Sequence, residues 1–179
     1  MKQFIDFTDK VCLVTGAGSE NGIGFKTAEI LGLLGGRVIM VSTTERILER
    51  ERELKKQGIR VKGEIADLMD RSQVKSLIQD IIAVYGKIDV LVNNAGMIQT
   101  GVAGEEEADI EDVTDESWDR DIERNLGITF NVTRAVIGHM KSAGYGRIVN
   151  TSSVTGPVVS NPGSASYSAA KAAIVGMSK

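Results

Sequence analysis

Apolar residues along the chain fall into five short runs, separated by stretches of a different periodicity. The runs are short enough for strands and contain few polar residues, which is typical of strands buried on both faces. The stretches between them repeat apolar residues every three to four positions, as amphipathic helices do. We predict strands at 11–15, 37–41, 59–65, 88–92 and 147–150, and helices at 24–34, 45–57, 70–86, 114–143 and from 167 onward.

This alternation of strand and helix predicts a parallel sheet, covered by helices on both faces and joined by right-handed crossovers. The fold class is therefore α/β with a doubly wound parallel sheet. Gly58 and Gly86 stand where a helix C-cap favours glycine, and Asp70 with Gln73 forms a candidate capping box. The length of 179 residues fits one domain.

Glycine-bearing loops follow the first and the fourth predicted strands, at the sheet edge where such folds bind ligands. The first loop, at 15–24, reads Thr-Gly-Ala-Gly-Ser-Glu-Asn-Gly-Ile-Gly and leads into a helix whose free amides can receive a pyrophosphate. The second, at 93–96, reads Asn-Asn-Ala-Gly and lets a flat ligand approach the backbone. A tight strand–helix connection and an ordinary Asx turn are the alternatives that involve no ligand.

Asp67 follows the third predicted strand, and its carboxylate could accept a hydrogen bond from an adenine amino group. A turn or helix-capping aspartate is the alternative. Tyr167 and Lys171 are four residues apart, which places both side chains on one face of a helix. A nearby ammonium favours the phenolate, so the pair suits proton transfer, although the same spacing also occurs by chance.

In this order, these motifs together with Asn125 and Ser153 resemble the short-chain dehydrogenase/reductase family, most closely its 3-oxoacyl-(acyl-carrier-protein)-reductase-like members. The resemblance spans the whole chain and implies a Rossmann fold, for which we expect the strand order 3-2-1-4-5. It also implies a single dinucleotide-binding and catalytic domain over residues 1–179. The resemblance assigns cofactor-binding roles to Gly16, Ser19, Gly22, Ile23, Gly24, Thr43, Arg46, Asp67, Leu68, Asn94, Ala95, Gly96, Tyr167 and Lys171.

The same resemblance implies hydride transfer between a nicotinamide and a carbonyl or secondary alcohol, possible substrates including 3-oxoacyl thioesters. Tyr167 would exchange a proton with the substrate oxygen, and Ser153 would hold that oxygen. Lys171 would favour the phenolate and bind the nicotinamide ribose, while Asn125 would position a water that links the lysine to solvent. The alternatives are a turn-capping serine for Ser153 and a solvated surface residue for Asn125.

Cofactor choice depends on the end of the second strand, where an acidic residue would bind the adenosine ribose and repel the additional phosphate of NADP. The chain reads Val-Ser-Thr-Thr-Glu-Arg at 41–46 and has no aspartate there. Hydroxyl groups and Arg46 could bind a phosphate, so NADP(H) is favoured over NAD(H), although Glu45 weakens that preference. Arg46 could instead form a solvated ion pair on its helix.

Composition narrows the classes of partner. The net charge of −3, with both signs interspersed, gives no basic surface for nucleic acid or an anionic membrane. Residues 1–10 carry no apolar run long enough for a signal peptide, which favours a cytoplasmic protein. The single cysteine, Cys12, lies among apolar residues, so we expect it to be a buried core residue. We expect no disulfide and no metal binding by cysteine. We expect a homo-oligomer, a dimer or tetramer, because two of the helices pair subunits in many relatives.

Two features depart from the family pattern. Five residues, at 17–21, separate Gly16 from Gly22 where the family usually has three, so the phosphate loop carries an insertion of two residues. The sequence also ends at Lys179, within the predicted helix that carries Tyr167, whereas the family continues. We therefore expect a C-terminally incomplete domain that lacks its last strands. Two functions stay open: an active oxidoreductase, or a truncated, catalytically inactive nucleotide-binding protein.

Overall fold

Within the part of the chain that the structure describes, the sheet has five strands in the order 3-2-1-4-5 and is flanked by helices, as predicted. The computed structural model describes residues 5–96 and 108–179. Its strands are β1 (Val11–Thr15), β2 (Arg37–Ser42), β3 (Val61–Ile65), β4 (Val90–Asn93) and β5 (Arg147–Asn150). Its α-helices are α1 (Ile23–Leu33), α2 (Arg46–Lys56), α3 (Arg71–Tyr85), α4 (Asp115–Ile122), α5 (Ile128–Ser142) and α6 (Ala165–Met177).

The chain divides into two compact units, which we describe separately. The first comprises Met1–Ala95 and Asn131–Val149, and the second comprises Gly96–Phe130 and Asn150–Lys179. The single domain predicted over residues 1–179 stays a prediction. Near the start of the second described range, Ile110–Asp112 form an exposed 3₁₀ turn.

The core of the first unit lies on both faces of the sheet. Cys12 and Val14 point to the face that packs against α1 and α2, while Leu13 points to the opposite face because side chains alternate along a strand. All three are fully buried, which explains why the strand reads as an uninterrupted apolar run. Burial also raises the pKa of the Cys12 thiol to about 12, so Cys12 behaves as a small apolar core residue, as predicted.

Local signals place most helix ends where we predicted them. Gly58 and Gly86 adopt left-handed backbone conformations, with φ of 79° and 76°, just after α2 and α3. The Asp70 carboxylate accepts hydrogen bonds from the amides of Ser72 and Gln73 at 2.8 and 3.2 Å. The capping box differs in one respect: the Gln73 side-chain oxygen accepts from the amide of Asp67, because the amide of Asp70 already donates to the Asp67 carbonyl.

The long helix predicted at 114–143 is not a single α-helix. Thr114 caps α4 by accepting from the amide of Ser117 at 3.2 Å, and α5 ends at Ser142, close to the predicted ends. Between them, Glu123–Gly127 form a π-helical turn, which inserts one residue and rotates the side chains that follow. Among the described residues, no helix has both the length and the apolar character needed to span a bilayer.

Candidate active site

In the first unit, the glycine loop after β1 is packed too closely for side chains. Gly16 has a φ of 70°, and a Cβ there would lie 2.7 Å from the Cα of Ala95. A Cβ at Gly18 would lie 2.6 Å from Ser42 Oγ, and one at Gly24 would lie 2.6 Å from the carbonyl oxygen of Gly16. The glycines therefore let the loop fit between the ends of β2 and β4.

Thr15 and Asn94 join the ends of β1 and β4. Thr15 is 1% exposed, and its hydroxyl accepts from the amides of Asn94 and Ala95, each at 3.1 Å. The Asn94 side-chain amide donates to the carbonyl oxygens of Thr15 and Gly16, each at 3.2 Å. Asn94 and Ala95 thus hold the loop in place, and any direct cofactor contact by them stays a prediction. Sequence analysis missed Thr15, although a hydroxyl at the end of an apolar strand was a usable signal.

The first turn of α1 is open to a ligand. Gly22 is its N-cap in an extended conformation, and no side chain caps the helix within the described residues. Ile23 and Ser19 are exposed beside it, and the Gly22 amide donates to the Ser19 carbonyl at 3.0 Å. Unpaired amides and the positive end of the helix dipole suit the phosphates of a dinucleotide.

One residue of this lengthened loop, Glu20, forms an ion pair with α2. Glu20 lies 3.8 Å from a guanidinium nitrogen of Arg50, which also pairs with Glu53 at 2.5 Å. Arg50 is buried, and its guanidinium carbon lies 5.7 Å from the centre of the Phe25 ring. This ion-pair network was not predicted, because it joins residues thirty positions apart along the chain.

At the end of β2, the hydroxyl-rich segment forms a turn. The amide of Thr44 donates to Ser42 Oγ at 3.2 Å, and Arg46 Nε donates to Thr44 Oγ1 at 3.3 Å. Thr43 and Arg46 are exposed. Among the described residues, no carboxylate forms a salt bridge with Arg46, so the predicted alternative of an ion pair on its helix is not found there.

After β3, Asp67 forms a turn, as in the alternative interpretation of this residue. Asp67 Oδ1 accepts from the amide of Met69 at 2.9 Å, which is an Asx turn, and Asp67 itself is exposed. Leu68 is buried, and its carbonyl oxygen accepts from the side-chain amide of Asn131 at 3.1 Å. This geometry accounts for one carboxylate oxygen of Asp67, and the contact with adenine stays a prediction.

In the second unit, Tyr167 and Lys171 lie one turn apart on α6. Lys171 is 2% exposed, and its ammonium lies 5.5 Å from the centre of the Tyr167 ring and 3.4 Å from the carbonyl oxygen of Thr151, to which it donates. Burial lowers the pKa of Lys171 below its ordinary value of 10.5. Tyr167 is half-buried. The helical spacing thus brings the two side chains together.

The segment after β5 packs beside this lysine. Ser152 Oγ donates to the Lys171 carbonyl oxygen at 2.7 Å, which fixes residues 151–153 against α6. Ser153 is half-buried, and its hydroxyl accepts from the amide of Thr155 at 3.1 Å, as a turn-capping serine does. That bond uses one acceptor position and leaves the hydroxyl proton of Ser153 able to donate.

Asn125 lies in the π-helical turn and is 1% exposed, so it is not the solvated surface residue of the alternative interpretation. Its side-chain nitrogen donates to the Asp121 carbonyl at 3.1 Å, while its Oδ1 has no partner among the described residues. Gly96 has a φ of 118°, and a Cβ there would lie 3.2 Å from that Oδ1. A buried acceptor without a partner is costly and suits a water or an ammonium donor.

Comparisons with known proteins agree with one family. A family model described as short chain dehydrogenase matches residues 10–179. The chain is 37% identical over 174 residues to 3-oxoacyl-(acyl-carrier-protein) reductase FabG of Thermotoga maritima, covering 95% of this chain and 65% of that protein. It is 35% identical over 175 residues to the FabG protein of Escherichia coli, covering 98% of this chain and 67% of that protein. The chain thus spans about two thirds of the length of these relatives.

Solved structures give the same result. A metagenomic short-chain oxidoreductase in complex with NADP matches with a TM-score of 0.86 and 31% identity, over 96% of this chain and 74% of that chain. An NAD⁺-bound xylitol dehydrogenase matches with a TM-score of 0.87 and 31% identity, over 97% of this chain and 64% of that chain. The two structures therefore share this fold but hold different nicotinamide cofactors.

Proposed function

Because the chain belongs to the short-chain dehydrogenase family, we propose that it transfers a hydride between NADP(H) and a carbonyl or secondary alcohol. The observation that carries the proposal is the buried Lys171 ammonium, 5.5 Å from the centre of the Tyr167 ring. A cation held so close to a phenol lowers the cost of forming a phenolate, which is what a tyrosine acid–base needs near neutral pH.

The residues present fit a dinucleotide. Gly16 and Gly24 have no room for a Cβ, and no side chain of the described residues caps the N-terminus of α1, so backbone amides there would hold the phosphates. Thr43 and Arg46 would bind the adenosine end, and Lys171 the nicotinamide ribose. When bound, the nicotinamide supplies or accepts the hydride.

In the direction of reduction, the Tyr167 hydroxyl donates its proton to the carbonyl oxygen as the carbonyl carbon gains the hydride. Ser153 donates a hydrogen bond to the same oxygen and holds the carbonyl in position. The Lys171 ammonium stabilises the resulting phenolate. The phenolate regains its proton from solvent through a water that donates a hydrogen bond to Asn125 Oδ1. Oxidation of an alcohol follows these steps in reverse.

The preference for NADP(H) is supported by the end of β2. No aspartate ends that strand, and the exposed Arg46 has no salt-bridge partner among the described residues, so its guanidinium can bind a phosphate. The substrate class is supported by the relatives, since both curated proteins are named 3-oxoacyl-(acyl-carrier-protein) reductases. We therefore propose a 3-oxoacyl thioester or a related ketone. The cytoplasmic location and the homo-oligomeric state stay predictions.

The test is oxidation of NADPH with a panel of ketones and 3-oxoacyl thioesters, run in parallel with NADH. Tyr167→Phe should lower kcat by roughly 10²- to 10⁴-fold, because general acid–base catalysis contributes that much. The affinity for NADPH, measured by fluorescence titration, should stay unchanged. Tyr145→Phe is the matched control, since it removes an equivalent hydroxyl from the first unit, and its turnover should stay normal.

Near-normal turnover of Tyr167→Phe would refute the assigned acid–base. Saturable NADPH binding by the unsubstituted protein without reduction of any substrate would favour the alternative of a nucleotide-binding protein. A higher kcat/KM with NADH than with NADPH would overturn the cofactor preference alone.

A further inference from the structure

We propose that the first unit carries a second ligand site, for small phosphate-bearing anions, at the sheet edge opposite the glycine loop. A cavity of about 330 Å³ opens there and is lined by four basic side chains. This volume is at the lower end of the range for small-molecule sites. The four basic residues are Lys10, Arg37, Arg60 and Lys87.

The position of the cavity follows from the parallel sheet. Arg37 begins β2, while Lys10 and Arg60 immediately precede β1 and β3, so all three lie at the amino ends of neighbouring strands. The glycine loop follows the carboxyl end of β1. With five residues in β1 and about 3.3 Å per residue, the two edges are about 16 Å apart. The cavity is therefore separate from the proposed dinucleotide site.

The cations at the cavity outnumber the carboxylates beside them. Lys10 and Lys87 share one buried carboxylate, that of Asp89, at 3.9 and 3.0 Å. Among the described residues, neither Arg37 nor Arg60 has a carboxylate within salt-bridge distance. Asp9 is the acidic residue among those that line the cavity. Two positive charges thus remain uncompensated, in a chain whose net charge is −3.

Both arginines are exposed at the cavity, and each has one contact that leaves guanidinium donors free. Arg60 Nη2 donates to the carbonyl oxygen of Gly35 at 2.6 Å, which leaves the other guanidinium N–H groups available. The Arg37 guanidinium carbon lies 5.3 Å from the centre of the Tyr85 ring, within range of a cation–π interaction. Two guanidinium groups positioned in this way suit the paired oxygens of a phosphate, which accepts parallel N–H bonds.

The backbone at Asp9 is a further feature of this sheet edge. Its φ is 63°, and no other non-glycine residue in the described part of the chain has a positive φ. Asp9 and Lys10 are neighbours in sequence, and both line the cavity. The turn before β1 therefore has a left-handed backbone conformation beside the cavity that the four basic side chains line.

The experiment is titration of the ¹⁵N-labelled full chain with inorganic phosphate and with pyrophosphate at constant ionic strength, followed by NMR. We expect saturable shifts at the backbone amides of Lys10, Val11, Arg37 and Lys87. The double variant Arg37→Gln/Arg60→Gln should weaken this binding by at least roughly tenfold, since two charge-assisted contacts are lost. Arg52→Gln/Lys56→Gln, which removes two exposed cations of α2, is the charge-matched control and should bind normally.

Shifts at the glycine-loop amides report the proposed dinucleotide site, so failure of one site is distinguishable from failure of the other. Shifts confined to that loop, or equal loss of binding in Arg52→Gln/Lys56→Gln, would overturn the second site. If the NMR spectrum of the double variant is not that of a folded protein, the same titration is carried out with Arg37→Lys. It keeps the charge but not the paired donors, and unchanged pyrophosphate affinity in it would refute recognition by the guanidinium.

Discussion

A buried lysine distinguishes the second unit at the scale of single residues. Among the described residues, the Thr151 carbonyl oxygen is the one hydrogen-bond acceptor of the Lys171 ammonium, and burial lowers the pKa of Lys171. Placing an ammonium in such surroundings costs stability, because the charged form loses its hydration. Its position beside Tyr167 gives a functional reason for that cost under the proposed function.

This lowered pKa predicts a pH-dependent contribution to stability. The folded chain releases the Lys171 proton at a lower pH than the unfolded chain, so the unfolded state binds more protons in the interval below about pH 10.5. The free energy of unfolding should therefore rise with pH in that interval, relative to Lys171→Met. Urea unfolding from pH 7.5 to 10.5 measures the difference.

The control is Lys141→Met, which removes an exposed lysine of α5. Its unfolding free energy should follow that of the unsubstituted protein across the same range. If the unfolding free energy of Lys171→Met also changes with pH as that of the unsubstituted protein does, the buried ammonium does not contribute the predicted pH dependence.

At the scale of elements, helix ends and one irregular turn determine where the side chains point. The π-helical turn Glu123–Gly127 places Asn125 in the interior, which an uninterrupted α-helix with the same residues would not guarantee. The start of α3 is held by Asp70, whose carboxylate accepts from the hydroxyl and amide of Ser72 and from the amide and side chain of Gln73. These bonds hold its pKa at about 2.

We expect this cap to weaken in acid. The pKa of Asp70 lies below its ordinary value of 3.8, so the cap stabilises the fold fully above that value and loses its contribution as the pH falls towards 2. Asp70→Asn keeps an oxygen acceptor but cannot titrate. Unfolding curves at pH 6 and pH 2 should therefore show a larger loss of stability in the unsubstituted protein than in Asp70→Asn, and equal losses would contradict the prediction.

At the scale of the whole molecule, strand order places the glycine loop. β1 lies between β2 and β4, so the order of strands along the chain reverses there and the loop after β1 has neighbours on both sides. Thr15 and Asn94 connect β1 to β4 through four hydrogen bonds. The same connection between distant parts of the chain supports both the stability of the sheet and the shape of the loop.

Thr15→Val should destabilise the protein by about 2 kcal/mol, because it leaves the amides of Asn94 and Ala95 without their acceptor in a near-isosteric replacement. Thr15→Ser keeps the hydroxyl and should recover most of this loss. Urea unfolding measures both variants. A loss below about 0.5 kcal/mol in Thr15→Val would show that these bonds contribute little to stability.

Some boundaries in the sequence-based prediction needed tertiary contacts to correct them. The third strand was predicted to start at 59 but starts at Val61, because the amide of Ile59 donates to the Leu54 carbonyl and still belongs to the end of α2. The fourth was predicted at 88–92 and is Val90–Asn93, whose parallel pairing with β1 begins at Cys12 and Val90. Strand ends depend on the partner strand, which periodicity does not contain.

By itself, the sequence determined the α/β class, the strand order, the glycine caps and the family. The class and the caps follow from short-range periodicity and local residue types, while the strand order follows from the family resemblance, which motifs along the whole chain carry. The tertiary structure alone decided that Thr15 supports Asn94, that Asn125 is buried with no donor to its Oδ1 among the described residues, and that Arg37 and Arg60 share a cavity. Those facts join residues far apart in the chain, and their distances are set by strand register and packing.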